Sequence, residues 1–216
     1  ENDWWLEKLK DAGEDDRVRA VILHINSPGG STYGGEALFQ AIRQLSEKKP
    51  VVSVIGTLGA SAGYMVAIAG DYVLARETSL TGSIGVLFQT AEFSKLMEKV
   101  GVSSETITSG ALKAEPNPTR PMSPAGRAQI QSMVNETHTW FVDLVASRRD
   151  LPREEVARLA DGRVYSGRAA LQNRLIDGLG GLAEARDWLA RTRQIPADLP
   201  LRDIPPDPPA GMLDGL

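Results

Sequence analysis

At 216 residues, 42% of them hydrophobic and 24% charged, the chain has the size and composition of one ordinary globular domain. A formal charge of −4 with no Lys/Arg-rich run argues against nucleic acid as a partner. The absence of cysteine excludes disulfides, thiol catalysis and cysteine-ligated metal.

No stretch reaches the roughly 18 continuous apolar residues of a membrane span, and no signal peptide opens the chain. It starts within a helical pattern: Trp4, Trp5, Leu6 and Leu9 recur at helical spacing before a polar break over residues 11–17. An upstream segment is therefore expected. Residues 20–25, Ala-Val-Ile-Leu-His-Ile, read as a strand covered on both faces of a parallel sheet, with His24 facing a layer of packing or a polar neighbour. The following Asn-Ser-Pro-Gly-Gly-Ser, residues 26–31, is a glycine-rich turn with open backbone N–H groups, suited to something polar or negative.

Ala37, Leu38, Ala41, Ile42 and Leu45 form the apolar stripe of a helix that ends near Lys48 and Lys49. Residues 51–55 are an apolar β-branched strand, residues 56–65 a small-residue turn, and residues 62–69 a helix. Ser61 lies at that turn, where small neighbours leave its hydroxyl open and the next N–H groups start a helix. Alone, such a serine reads as an N-cap. In company with the features below it reads as a nucleophile.

Residues 72–75 are a further buried strand, followed by Thr-Gly-Ser-Ile-Gly-Val at 81–86. The strand–helix rhythm indicates an α/β fold with loops of functional interest at the carboxyl ends of strands. Phe93, Leu96, Met97 and Val100 mark a short helix, residues 102–108 are β-prone, and residues 109–118 form a loop whose prolines oppose regular structure. Ser123 and Pro124 start a long helix carrying Ile130, Met133, Val134, Phe141, Leu144 and Val145. His138 on that helix reads as a packing or interface residue. Shorter pieces follow: a helix from 152, an extended stretch at 163–165, a helix capped by Ser166, a turn at 177–181 and a last helix with Leu182, Ala185, Trp188 and Leu189. Pro196, Pro200, Pro205, Pro206, Pro208 and Pro209 make residues 194–216 an extended tail after a domain at 1–193.

Residues 26–31, 59–63, 81–86 and 111–121, with 162–167 and 175–181, resemble the signal peptide peptidase A (SppA) family of serine–lysine proteases over residues 4–188. The resemblance implies the Clp protease/crotonase-like fold of repeated strand–strand–helix units. It implies Ser61 as nucleophile, Lys113 as general base and Ser83 as the serine that hydrogen-bonds the lysine amine. It implies no cofactor and no metal. Lys113 could act as base if burial lowered its pKa from about 10.4, because desolvation disfavours the ammonium form. Backbone N–H groups of Ala62 and Gly30 are the expected oxyanion donors, with Gly29 and Ser31 beside the substrate. Gly29 and Gly30 could exchange these roles by one residue.

With serine and lysine in one module, the chain resembles the short form of the family. The resemblance further implies cleaved signal peptides and other extended hydrophobic peptides as substrates, a homo-oligomer, and attachment to the bacterial inner membrane through a missing N-terminal anchor, the protease facing outward. A crotonase-like acyl-CoA module and a catalytically idle scaffold are the competing readings, and the joint presence of Ser61, Ser83 and Lys113 speaks against both.

Overall fold

The computed structural model describes residues 3–204. Helix α1 (Asp3–Glu14) leads, followed by β1 (Val21–Ser27), α2 (Thr32–Ser46), β2 (Val51–Ala60), α3 (Ala62–Ala69), β3 (Tyr72–Ala75) and β4 (Leu80–Gly82). Then come α4 (Ser94–Lys99), α5 (Pro124–Arg149), α6 (Arg153–Leu159), β5 (Val164–Ser166), α7 (Gly167–Gln172), β6 (Gly178–Leu179) and α8 (Leu182–Arg193).

Strand β2 is the axis of the sheet. It pairs in parallel with β1, with β3 along residues 52–55 and with β4 along residues 58–60. Because β3 takes the first half of β2 and β4 the second, the sheet curls instead of continuing flat. Strand β6 extends it beyond β3, and β5 pairs antiparallel with β4. Side chains on β2 alternate as a strand demands. Val51 joins Leu9, Ile42, Leu45 and Ala69 beneath α1 and α2, whereas Val52 and Val54 join Leu74, Ala185 and Leu189 beneath α8. Ile55 belongs to the largest cluster, with Tyr64, Met65 and Ile68 of α3 and Phe141, Val142 and Val145 of α5.

Polar clamps fix the helices to this core. Arg148 of α5 donates to the carbonyl oxygens of Ile68 and Gly70 at 2.8 and 2.9 Å, taking up acceptors at the end of α3. Arg149 grips Asp177 at 2.6 Å, and Asp177 in turn accepts the Val73 N–H at 2.7 Å. The helix is thereby tied to the sheet through one carboxylate.

Four expectations need correction. Strand β1 is covered only in part on its two faces, Val21 and Leu23 packing towards α1 and α2 and Ile22 towards α8. Only Ile25 is buried along it and His24 is exposed, because β1 pairs with β2 alone. Strand β2 runs through Gly56 and Gly59 to Ala60, so the turn at the serine is one residue long. The β-prone residues 102–108 form no strand and are exposed, since β-branched residues favour strands only where a neighbour supplies pairing and packing. At 177–181 the chain does more than turn: Gly178 and Leu179 pair with Leu74 and Ala75. His138 takes the packing role, its Nε2 lying 2.8 Å from the Ala160 carbonyl oxygen.

Residues 195–204 carry no helix or strand and are mostly exposed, with Arg186 of α8 donating to the carbonyl oxygens of Ala197 and Leu199. Pro205, Pro206, Pro208 and Pro209 of the expected tail lie outside the described residues. Among the described residues, no helix is long and apolar enough to cross a membrane.

Candidate active site

Strand β2 ends and α3 begins at Ser61, whose backbone has φ 54° and ψ −122°. Such a conformation is costly for a residue with a Cβ. Neighbouring backbone enforces it. The Ser61 N–H donates to the Gly82 carbonyl oxygen at 2.9 Å, while the Ser61 carbonyl accepts from Tyr64 and Met65 at 2.9 and 3.1 Å. The residue is thus held at both its amide and its carbonyl. Its side chain occupies the N-cap position of α3 yet makes no capping bond, unlike Ser31, Ser123 and Ser166, each of which accepts an N–H of the helix it precedes. A capping serine is satisfied and inert, whereas the Ser61 hydroxyl has no hydrogen-bond partner among the described residues.

Two glycines flank Ser61 at equal spacing. A Cβ on Gly63 would lie 2.9 Å from the Ser27 carbonyl oxygen, and one on Gly59 would lie 3.0 Å from the Ile55 side chain. The sharp bend requires glycine at 63, where the obstacle is backbone, while at 59 a side chain would crowd Ile55. Their regular spacing about Ser61 was the available sequence signal for this packing role.

Gly29 closes the site from the other side. It adopts φ +114°, and a Cβ there would meet Ser61 Cβ at 2.8 Å and Oγ at 3.2 Å. The Gly29 N–H is taken by Ser27 Oγ at 3.2 Å, whereas Gly30 next to it is exposed with open space around its Cα. Ala62 is the first residue of α3, so its N–H has no acceptor within the helix. Ser31 is exposed, and its hydroxyl accepts the Gly34 N–H at 3.1 Å as the cap of α2. The structure also gives Ser27 a role that sequence reading missed. Its hydroxyl receives the glycine loop while its backbone packs against Gly63, and a lone serine before proline carries no pattern that would announce this.

Ser83 follows β4 directly, one residue after the carbonyl that receives the Ser61 N–H. It too has positive φ, 49°, and its N–H donates to the Arg163 carbonyl oxygen at 2.8 Å. Around it, Thr81 is fully buried with Oγ1 donating to the Gly59 carbonyl oxygen at 2.7 Å, and Tyr165 of β5 packs where a Gly82 Cβ would be. The two left-handed serines therefore sit at adjacent strand ends, each locked by backbone bonds. Beneath them Tyr64 of α3 is fully buried, its hydroxyl donating to the Leu175 carbonyl oxygen at 2.8 Å; burial pushes this phenol well above its ordinary pKa.

Lys113 stands apart. It belongs to a turn in which its N–H donates to the Gly110 carbonyl oxygen at 3.1 Å, it is exposed, and among the described residues no hydrogen bond or ion pair engages its amine. The site brings together Gly29, Gly30, Ser61, Ala62 and Ser83, and does not bring Lys113 into hydrogen bonding with them. Among the described residues there is no group of three or more His, Asp or Glu arranged to hold a metal.

Comparison with known proteins places the chain in a family. The profile of peptidase family S49 matches residues 43–196. A proposed protease of Methanocaldococcus jannaschii is 38% identical over 177 residues, which is 82% of this chain and 57% of that protein. A proposed signal peptide peptidase SppA of Enterococcus faecium is 34% identical over 192 residues, 88% of this chain and 56% of the other. The chloroplastic serine protease SPPA of Arabidopsis thaliana is 34% identical over 184 residues, 83% of this chain and 27% of the other. The chain thus spans little more than half of the first two relatives and about a quarter of the third. With its curled mixed α/β sheet of Clp protease/crotonase-like type, the chain belongs to peptidase family S49, the SppA family of proteases.

Proposed function

We propose that the chain is a serine endopeptidase module that cleaves extended hydrophobic peptides, cleaved signal peptides among them, with Ser61 as nucleophile and Lys113 as general base. The observation that carries this reading is the free hydroxyl of Ser61 on a strained strand-to-helix junction, pressed against a loop that only glycine can form.

In the proposed mechanism, neutral Lys113 takes the Ser61 proton as Oγ attacks the scissile carbonyl. The developing oxyanion is met by the N–H groups of Gly30 and Ala62, and each such donor is worth about 3 kcal/mol of transition-state stabilisation. Lysine then protonates the leaving amine, the acyl group stays on Ser61, and a water activated by the same amine releases it. Ser83 hydrogen-bonds the lysine amine and aims its lone pair, the part played by a carboxylate towards histidine in other triads.

A lysine acts as a general base only in a water-poor pocket, so the amine needs cover to act. The proposed cover is a second copy of the chain. Lys113 lies in a largely exposed segment, residues 87–113, whose Leu87 and Ile107 are 81% and 92% exposed and whose Phe88, Phe93, Leu96 and Val100 are also uncovered. Apolar exposure on this scale marks a surface made for contact. The wider proposal includes a protease domain at 1–193, a proline-rich tail at 194–216 and attachment to a bacterial inner membrane through a segment preceding residue 1.

A fluorogenic peptide library tests the substrate class. Cleavage after small or aliphatic residues in unstructured peptides is expected, because extended backbone can pair with the exposed glycine loop while alternate side chains enter pockets. A profile dominated by Lys or Arg before the cut, or ready cleavage of folded proteins, would contradict it.

A further inference from the structure

Two residues after Lys113 the chain changes character. Ala111, Leu112 and Lys113 are exposed, but the Glu115 side chain is only 4% exposed and lies under the first turn of α5. Its Oε1 accepts the Ser123 N–H and an Arg120 N–H, each at 3.4 Å. Its Oε2 and the Nε of Arg120 are both buried without a hydrogen-bond partner. A buried carboxylate with so few bonds is expensive to keep, and a surface loop has no need of one for solubility.

The helix is adapted to receive it. Ser123 caps α5 by accepting the Gly126 N–H at 3.0 Å, and a Cβ at Gly126 would lie 2.8 Å from both Cγ and Cδ of Glu115 and 2.9 Å from Oε2. Glycine in the first turn of a 26-residue helix is a poor choice for helix propensity. Here it opens the space that the carboxylate fills. The positive end of the helix and the Arg120 guanidinium supply the matching charge.

We propose that Glu115 is a positioning residue for Lys113: its carboxylate, docked between Gly126 and Arg120, fixes one end of the turn that presents the lysine amine. The turn itself is light. The Lys113 N–H donates to Gly110 and the Glu115 N–H to Leu112 at 3.2 Å, so an unanchored Glu115 would leave the lysine on a turn tied only to itself. A general base must sit within hydrogen-bond reach of the proton it takes, and small displacements are costly. This inference rests on the reading of Lys113 as general base.

The test is steady-state kinetics on a fluorogenic peptide for Glu115→Ala, Gly126→Ala, the double variant and Lys113→Ala, with thermal melting of each. Glu115→Ala should lower kcat roughly 10- to 100-fold with KM within about twofold, since the loss falls on the chemical step. Gly126→Ala favours the helix yet crowds the same carboxylate, so it should lower kcat similarly without lowering Tm. Once Glu115 is gone its space is free, and adding Gly126→Ala should cost nothing further. An inactive Lys113→Ala beside Glu115→Ala and Gly126→Ala of native kcat overturns the positioning role and leaves the base reading intact. A Lys113→Ala of native activity overturns both. A rise in KM with unchanged kcat, or fully additive losses in the double variant, also refutes it.

Discussion

Gly29 and Ser61 approach so closely that a methyl group on the glycine would lie 2.8 Å from the serine Cβ and 3.2 Å from its hydroxyl oxygen. The glycine is also in a left-handed conformation, φ +114°, which alanine resists. Gly29→Ala should therefore lower kcat/KM by about 100-fold or more by pushing the nucleophile out of line. Gly30→Ala, with open space around it, should lower it less than about tenfold, because its backbone N–H survives the change. Kinetics of the two variants side by side check this, and equal losses would count against Gly30 as the donor and Gly29 as the wall.

The proposed dyad makes a second prediction. Ser61→Ala and Lys113→Ala should each remove activity by about 10⁴-fold or more, and the double variant should be little worse than either, since members of one catalytic unit do not add. Lys113→Arg should fail too, because guanidinium does not release its proton near neutral pH. Ser83→Ala should retain more activity than either. Near-native kcat in Lys113→Ala would remove the lysine from the mechanism.

Assembly gives a third. Lys113 is not hydrogen-bonded to Ser61 or Ser83 in its own subunit, and the segment around it is exposed and apolar. Activity should fall on dilution below the assembly concentration. Mixing Ser61→Ala with Lys113→Ala protein distinguishes two arrangements: a dyad shared between subunits regains about a quarter of the native activity, the share of sites that pair an intact serine with an intact lysine when subunits mix at random, and a dyad within one subunit regains none. A fully active monomer would contradict assembly, and a ring in which mixing restores nothing would confine the dyad to one subunit.

The buried Tyr64 hydroxyl makes a fourth, about stability. Tyr64→Phe leaves the Leu175 carbonyl without its 2.8 Å donor and should cost about 1 to 3 kcal/mol in chemical denaturation, with kcat nearly unchanged. A large loss of kcat at full stability would mean that the tyrosine takes part in the chemistry.

Much of the framework was legible in the sequence because it is written in local patterns. The mainly apolar runs at 51–55 and 72–75, the 3.6-residue stripe of α2 and the Ser-Pro start of α5 each specify an element from its own residues. Helix α3 falls on residues 62–69 as its small apolar residues indicate. What could not be read depends on partners distant in the chain. The length of β2 beyond Ile55 is set by its pairing with β4, which glycine-rich sequence does not announce. The exposure of His24 follows from β1 having one neighbour, a matter of topology. The site divides in the same way. Ser61 and its glycines were visible as a motif, whereas the approach of Ser27 to Gly63 and the contacts of Tyr64 with Leu175 and Glu115 with Ser123 join residues through the fold.

The central claim, that Ser61 is an activated nucleophile, is tested most directly by labelling with a fluorophosphonate and locating the adduct by peptide mass spectrometry. The strained backbone and uncommitted hydroxyl predict one stoichiometric adduct on Ser61, none in Ser61→Ala, and labelling slowed by orders of magnitude in Lys113→Ala. An unlabelled Ser61 in folded, assembled protein, or an adduct on another residue that persists in Ser61→Ala, would contradict it.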